Sequence, residues 1–230
     1  SVYVTNFSTL QIGMGLITIL MAYFPTVTIS GYFQAWLAAK LGDDTAQKLG
    51  FQKFDPLVHV SFIGLALLVY SQLVSGLGVG WGRRIPLNPS NIIGSFRDIR
   101  LILLFFSGAI IHAVMILLLV LLGGMIDAFN VLTFFSSSLI VVLQLYRVVL
   151  LFNIYLFVLF LILGAIEFIM TEFLHKWRLF EKYGLWIQFG VFFAAFIVVQ
   201  LVFPVLLEVV FYCVEYIGFY MRVGLKLLFG

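Results

Sequence analysis

The stretch SGYFQAWLAAKLGDDTAQKLG, residues 30–50, closes a long apolar segment and opens a polar loop. This segment, segment A, runs from Leu10 to Leu41 and exceeds the roughly 20 residues that one helix needs to cross a bilayer. Pro25 removes a backbone donor, so we predict a kink or break there, with a half-unit on either side. Four polar side chains give the second half a mixed surface, unusual for a helix facing lipid: Thr26, Thr28, Ser30 and Gln34.

The composition around this stretch is that of a membrane protein. Apolar residues make up 63% of the 230-residue chain and charged residues 10%, and the mean hydropathy is +1.18. Ordinary soluble domains have roughly 45–50% apolar and 25% charged residues. The apolar surplus must therefore face hydrocarbon, and we expect one membrane domain over residues 1–230.

Charge and cysteine content exclude other classes. The net charge is +3, and the basic residues are scattered through short loops without forming a stripe that could follow a phosphate backbone. We therefore expect the lipid bilayer and no nucleic acid as a partner. Cys213 is the single cysteine, which excludes an internal disulfide and a cysteine-based metal cluster.

Further apolar segments follow segment A. Four of them are named B, C, E and F, and they cover about His59–Val79, Leu101–Met125, Ile140–Ile169 and Leu185–Phe203. After Pro204, four charged residues fall near one stripe of a helix, which favours an interfacial amphipathic helix over a sixth span, at about 205–228. They are Glu208, Glu215, Arg222 and Lys226. The predicted fold is all-α, a polytopic transmembrane helix bundle with five to six membrane segments.

The charges of two loops give conflicting predictions of how the chain is oriented in the membrane. Four arginines make the loop between segments B and C the most basic, which predicts a cytoplasmic position by the positive-inside rule. They are Arg83, Arg84, Arg97 and Arg100. If segment B spans the membrane, three lysines in the preceding loop predict the opposite, namely Lys40, Lys48 and Lys53.

Glycine recurs at every second residue near the end of segment B, at positions 76, 78, 80 and 82. A phosphate-binding loop would need a strand before the glycines and a helix after them, and the pattern lacks both. The alternation therefore predicts close packing or a turn.

Several ordered motifs resemble one family. They read LGDDTA at 41–46, DPLVHV at 55–60 and GWGRRIPLNPSN at 80–91. In this order they resemble the site-2 protease family of intramembrane zinc metallopeptidases, in its compact bacterial form. The likeness is strongest across 41–91 and implies a site-2-protease-like core over about 26–203, in a bacterial inner membrane.

The resemblance also implies where a zinc site would lie. The family holds zinc with two histidines at i and i+4 and keeps a glutamate beside the first as the base. This chain has Ser30, Gly31 and Gln34 there, which are two very poor ligands and no base. The third ligand position falls on Phe168, with Glu167 one place away. We therefore expect an inactive relative, with no catalytic residue, metal or cofactor.

Other polar residues leave an alternative open. His59, His112 and Asn153 are predicted to form a polar cleft, because His112 and Asn153 align with asparagines of the family. Ionisable groups inside a membrane are functional candidates, since burying them is unfavourable. A rewired metal site could use His59, His112, Glu167 and Gln34. A histidine that is hydrogen-bonded inside a helix bundle is the simpler interpretation.

Three functions follow from these patterns. We expect first a non-catalytic scaffold, assembly factor or structural subunit that binds transmembrane helices of a larger membrane complex. The second is an active intramembrane zinc metalloprotease with the rewired site. The third is a small transporter or channel subunit whose polar path would be Ser30, Gln34, His59, His112 and Arg147. The chain lacks the internal repeats that such transporters often show, so this hypothesis ranks last.

Overall fold

The computed structural model describes residues 9–76, 78–128 and 138–171, with scattered positions between 190 and 224. In the three continuous ranges it contains seven α-helices and one 3₁₀ turn, Pro89–Asn91. The helices are α1 Thr9–Leu41, α2 Thr45–Lys48, α3 Pro56–His59, α4 Phe62–Ser75, α5 Arg97–Phe105, α6 Ser107–Ala128 and α7 Ser138–Ile169. No strand occurs in these ranges, only one isolated antiparallel bridge between Val60 and Gly82. The prediction of an all-α chain is confirmed for this part.

Three of these helices, α1, α6 and α7, are long and apolar enough to cross a membrane. The protein is therefore an integral membrane protein. Segment E corresponds to α7, whereas segment C is divided at Phe106 into α5 and α6. Segment F and the helix after Pro204 lie mostly outside the described residues, so the count of five to six segments stays a prediction. Glu208 and Glu215 are helical and exposed, whereas Arg222 and Lys226 lie outside the description.

The three long helices form the core, with α1 packed against α6 and α7. Gln34, near the end of α1, contacts Ser107 at the start of α6, and Gly164, near the end of α7, lies against Phe105. α1 and α7 are therefore parallel, and α6 runs antiparallel to both. We call the end where α1 and α7 finish and α6 begins the basic end. Its name comes from the lysines and arginines of the flanking loops.

A kink or break was predicted at Pro25, and the break does not occur, because α1 is one helix from Thr9 to Leu41. Pro25 removes a single helical hydrogen bond, to the carbonyl of Met21, and both residues lie on the exposed side. The opposite side of the same turns is fully buried at Ala22 and Tyr23. Packing of Ala22 and Tyr23 on that side keeps α1 helical at Pro25.

Segment B does not form the predicted continuous apolar segment from His59 to Val79. Its helix, α4, has 14 residues, about 21 Å at 1.5 Å per residue, and it ends at Gly76 in the left-handed conformation with φ 71°. The chain then turns back as an extended stretch, residues 78–85, which we call the returning segment. Helix α4 is too short for a typical span.

The returning segment lies between α4 and α1, and its glycines permit the close approach. A Cβ added at Gly80 would lie 2.8 Å from Leu68 Cβ, and one added at Gly82 would lie 3.0 Å from Val27 Cβ. Contacts this short force a neighbour to move. The prediction of close packing and a turn at the alternating glycines is confirmed.

Side chains and backbone groups satisfy the polar atoms of the returning segment. Tyr23 Oη donates to the carbonyl of Trp81 at 3.0 Å, and Val79 N donates to Ser71 Oγ at 2.8 Å. Arg83 N donates to the carbonyl of His59 at 2.6 Å. The last bond and the Val60–Gly82 bridge place the start of α4 beside the exit of the returning segment. The hairpin thus enters and leaves at the same end, as a re-entrant element.

The hairpin removes the conflict in the loop charges. Because it does not cross, the loops 42–58 and 83–96 lie together at the basic end. That end carries Lys40, Lys48, Lys53, Arg83, Arg84, Arg97 and Arg100. The described stretches towards the other end, residues 9–39, 107–128 and 138–146, contain no lysine or arginine, and Arg147 is the one basic residue in the first half of α7. By the positive-inside rule this distribution predicts that the basic end faces the cytoplasm.

Asp43 ties the two loops of the basic end together. Its buried carboxylate accepts hydrogen bonds from Thr45 N at 3.2 Å, Thr45 Oγ1 at 2.5 Å, Asn91 Nδ2 at 2.9 Å and Asn88 N at 2.6 Å. Arg100 also donates to the carbonyl of Leu41 at 3.4 Å, at the end of α1. These bonds connect the loop after α1 to the 3₁₀ turn and to α5.

The re-entrant hairpin predicts which loops share a side. In a Cys213→Ser background, Gln47→Cys and Ser95→Cys should react with an impermeant maleimide from the same side of oriented vesicles, the cytoplasmic one. Asp127→Cys, at the far end of α6, should react only from the opposite side. Labelling of positions 47 and 95 from opposite sides would show that α4 crosses the membrane.

The Asp43 bonds predict a large loss of stability on truncation. Asp43→Ala leaves four donors without their acceptor and should lower the free energy of unfolding in detergent by about 2 kcal/mol or more. Asp44→Ala is the matched control, since Asp44 forms one exposed pair with Lys48 at 2.8 Å. Such pairs contribute about 0–1 kcal/mol. Equal losses for the two variants, measured by thermal unfolding, would contradict this assignment.

Candidate functional site

One face of α1 presents polar side chains to α6 and α7. Thr26, Ser30 and Gln34 follow one another at intervals of four residues, which aligns them on one side of the helix, and all three are buried. Gln34 Nε2 donates to Ser107 Oγ at 3.2 Å. Ser30 Oγ donates to the carbonyl of Val27 at 3.4 Å within its own helix. This face therefore contributes helix contacts at the positions where the resemblance locates a zinc site.

A buried polar chain, made of Thr26, Asn153 and His112, joins all three long helices. Asn153 Nδ2 donates to Thr26 Oγ1 at 3.5 Å and to the carbonyl of Val149 at 2.8 Å. Asn153 Oδ1 therefore faces His112 and accepts from its Nδ1 at 2.9 Å. Asn153 and His112 are both fully buried. In an apolar interior such paired polar groups fix the register of the helices.

The Asn153 bond assigns the tautomer of His112. Because Nδ1 carries the hydrogen, Nε2 presents a lone pair, and it has no hydrogen-bond partner among the described residues. The His112 ring stacks on Phe160, with ring centroids 5.4 Å apart. Its surroundings are thus one amide and one aromatic ring, which suit a neutral imidazole.

His59 contacts Gly31, which lies about 100° around α1 from Ser30 and about 60° from Gln34. Its Nε2 donates to the carbonyl of Lys53 at 2.9 Å, so the lone pair of Nδ1 points at Gly31. A Cβ added at Gly31 would lie 2.9 Å from two ring carbons of His59 and closer still to Nδ1. The imidazole therefore fills the space that any side chain at position 31 would need.

A cleft opens at the basic end between α1, the end of α5, α7 and residues 84–87. Its empty volume is ≈ 300 Å³. Gln34 and Glu167 both line it, and Arg84 pairs with Glu167 across it. Partial burial lowers the pKa of the Arg84 guanidinium from its ordinary value. The apolar walls include Ile85, Leu87, Phe105, Phe160 and Leu163.

Phe168 lies next to Glu167 but faces an apolar cluster. Its ring contacts Phe105 with centroids 6.1 Å apart, and it packs with Ala38 and Leu104. Aromatic packing of this kind supplies no metal ligand. The aligned third position thus contributes to the core between α1, α5 and α7.

The structure brings some of the predicted site residues together and separates others. Gln34 and Glu167 share the cleft, and His112 pairs with Asn153, whereas His59 contacts Gly31 and does not line the cleft. Within the described ranges, no group of three or more His, Cys, Asp or Glu side chains is placed to hold a metal ion. The proposed rewired ligands therefore do not meet there.

Sequence reasoning missed three contributors to this region. Ser107 is the partner of Gln34, Arg84 is the partner of Glu167, and Phe160 links the cleft to His112. Arg84 lies in the motif at 80–91 that resembles the family, which was the available signal for it. Phe160 is one of 26 phenylalanines, and nothing in the sequence distinguishes it from the others.

The Gly31–His59 contact can be tested with two glycines of the same helix. Gly13 has no atom within 4 Å of an added Cβ, so Gly13→Ala should be neutral or stabilising by about 1 kcal/mol through helix propensity. Gly31→Ala should destabilise by about 1–3 kcal/mol, because the ring of His59 must move. Both are measured as thermal unfolding in detergent.

A second substitution separates the contact from a general effect at position 31. His59→Ala should recover part of the stability lost in Gly31→Ala, giving a non-additive pair. Additive losses, or a Gly31→Ala variant as stable as Gly13→Ala, would show that the ring does not limit position 31.

Comparison with known protein families, characterised proteins and solved structures gives no match. The functional assignment of this chain therefore depends on the contacts of its own residues. Those contacts are the buried polar chain, the Gly31–His59 packing and the cleft closed by Arg84 and Glu167.

Proposed function

We propose that this protein is a non-catalytic, site-2-protease-like membrane protein of the bacterial inner membrane. It acts as a scaffold, assembly factor or structural subunit and binds transmembrane helices of a larger membrane complex. One observation carries the proposal. The α1 face that would hold zinc in the family is occupied by contacts between helices, from Thr26 to Gln34.

The individual contacts support a packing role for these positions. Gln34 bonds to Ser107 of α6, the ring of His59 fills the space beside Gly31, and Phe168 belongs to an apolar cluster. A water molecule activated by zinc would need open coordination space and a nearby base. Here the same space holds side chains that join the helices.

The outer face of α4 is the surface best suited to a partner helix. We call it the α4 stripe, and its exposed members are Phe62, Ile63, Ala66, Tyr70, Leu73 and Val74. Phe62 is 80% exposed and Ile63 73%. The stripe follows helical spacing, with one small residue at Ala66 and the hydroxyl of Tyr70 available for a bond between helices.

Crosslinking from the stripe tests the proposal in the native membrane. A photoreactive phenylalanine analogue at Ile63 or Tyr70 should form an adduct with one defined membrane protein, which mass spectrometry identifies. Leu118, which is 61% exposed on α6, is the matched control position and should give lipid adducts only. Exclusive lipid adducts at Ile63 and Tyr70 would argue against a bound helix at this face.

The absence of catalysis is tested separately on the purified protein. Elemental analysis should find zinc at well below one atom per chain. Stoichiometric zinc that a chelator removes, together with chelator-sensitive cleavage of a transmembrane substrate, would identify a working protease. That result would overturn the proposal whatever the crosslinking experiment finds.

A further inference from the structure

The loop after α1 and the end of α1 together carry balanced formal charges. They contain three lysines and three aspartates, at positions 40, 48 and 53 and at 43, 44 and 55. Asp43 is buried within four hydrogen bonds, and Asp44 pairs with Lys48 at 2.8 Å. Asp55 accepts from Leu57 N at 3.0 Å, at the start of α3. All three aspartates thus already have hydrogen-bond or ion-pair partners.

Two exposed ammonium groups remain. Lys40 and Lys53 are exposed, and in the described part of the chain neither has an ion-pair partner. Lys40 Nζ lies 5.9 Å from the ring centroid of Trp36, a contact that orients the ammonium without neutralising it. Lys40 and Lys53 are therefore exposed ammonium groups that an anionic ligand could approach without breaking an ion pair.

An aromatic cluster lies beside these lysines. It consists of Tyr32, Phe33, Trp36 and Phe54. Phe54 stacks on Tyr32 with centroids 3.9 Å apart, and Phe33 contacts both Phe54, at 6.2 Å, and Trp36, at 6.4 Å. The cluster joins the last turns of α1 to the loop residue that directly follows Lys53.

The position of this cluster in the fold matches the boundary of a bilayer. It lies on α1 one to three turns before Leu41, where the apolar helix gives way to the polar loop. Phe33 is 39% exposed, Trp36 40% and Phe54 61%. Tryptophan and tyrosine, here Trp36 and Tyr32, are enriched at the headgroup level of membranes.

We propose that Lys40, Lys53 and the aromatic cluster form a binding site for an anionic phospholipid in the leaflet at the basic end. The two ammonium groups would pair with the headgroup phosphate and its additional negative charge. The rings would pack against the glycerol backbone and the first acyl carbons. Cytoplasmic leaflets are anionic, and basic residues beside a transmembrane helix attract such lipids. This inference is independent of the partner helix on the α4 stripe.

Quenching of Trp36 by brominated lipids tests the site directly. The variant Trp81→Phe/Trp177→Phe/Trp186→Phe leaves Trp36 as the only tryptophan, and the contact of Trp81 described above uses its carbonyl. In vesicles of phosphatidylcholine, brominated phosphatidylglycerol should quench Trp36 more than brominated phosphatidylcholine at equal mole fraction. The relative binding constant should favour the anionic lipid by about fivefold or more.

Substitution of the lysines identifies the groups responsible for the preference for anionic lipid. Lys40→Gln/Lys53→Gln should bring the relative constant to about one, whereas Lys48→Gln should leave it unchanged because Asp44 already pairs with Lys48. Inorganic phosphate, compared with chloride at equal ionic strength, should not remove the preference. Removal by phosphate would indicate a site for a free anion and overturn the lipid assignment.

A second measurement covers the case in which the tryptophan substitutions disturb folding. Native mass spectrometry of the chain with all four tryptophans should show retained phosphatidylglycerol, which Lys40→Gln/Lys53→Gln loses and Lys48→Gln keeps. Equal quenching by both lipids together with equal lipid retention in the three proteins would refute the site. Loss of retention in Lys48→Gln to the same extent would reduce the effect to net charge and would equally refute it.

Discussion

An extended stretch of backbone at the depth of apolar helices is the constraint on which this structure depends. Hydrocarbon offers no water to amide and carbonyl groups, so residues 78–85 must find partners in the protein. Tyr23, Ser71 and the carbonyl of His59 provide them. Because the returning segment must touch α1 and α4 to reach these partners, glycine occupies the points of contact. The single end at which both loops meet is a consequence of the same hairpin.

Part of this fold could be read from the sequence. Hydropathy located α7 to within a few residues and gave the end of α1 at Leu41. It failed at segment B, because an apolar window looks the same whether the chain crosses or turns back. The break that proline chemistry allowed at Pro25 does not occur for a different reason, since local propensity says nothing about the buried packing at Ala22 and Tyr23 on the other side of these turns.

The sequence predicts the features of the candidate site that depend on the spacing of residues along one helix. It does not predict the contacts that depend on how separate elements pack. Helical periodicity places Ser30 and Gln34 on one face, and the pairing of His112 with Asn153 joins two residues that alignment had singled out. No pattern in the sequence indicates that His59 lies against Gly31, because that contact depends on how the hairpin docks. The sequence also does not indicate which lysine of this region pairs with an aspartate; in the described residues Lys48 pairs with Asp44, whereas Lys40 and Lys53 form no ion pair.

The order of synthesis bears on how the hairpin is inserted into the membrane. Helix α1 is synthesised before α4 and the returning segment, and these are synthesised before α6 and α7. Such a segment cannot leave a translocation channel for lipid by itself, because its amides would enter hydrocarbon unpaired. It must leave the channel already docked on Tyr23. If α1 is still beside the channel when the hairpin docks, the two can enter the bilayer as one unit with these backbone groups already paired.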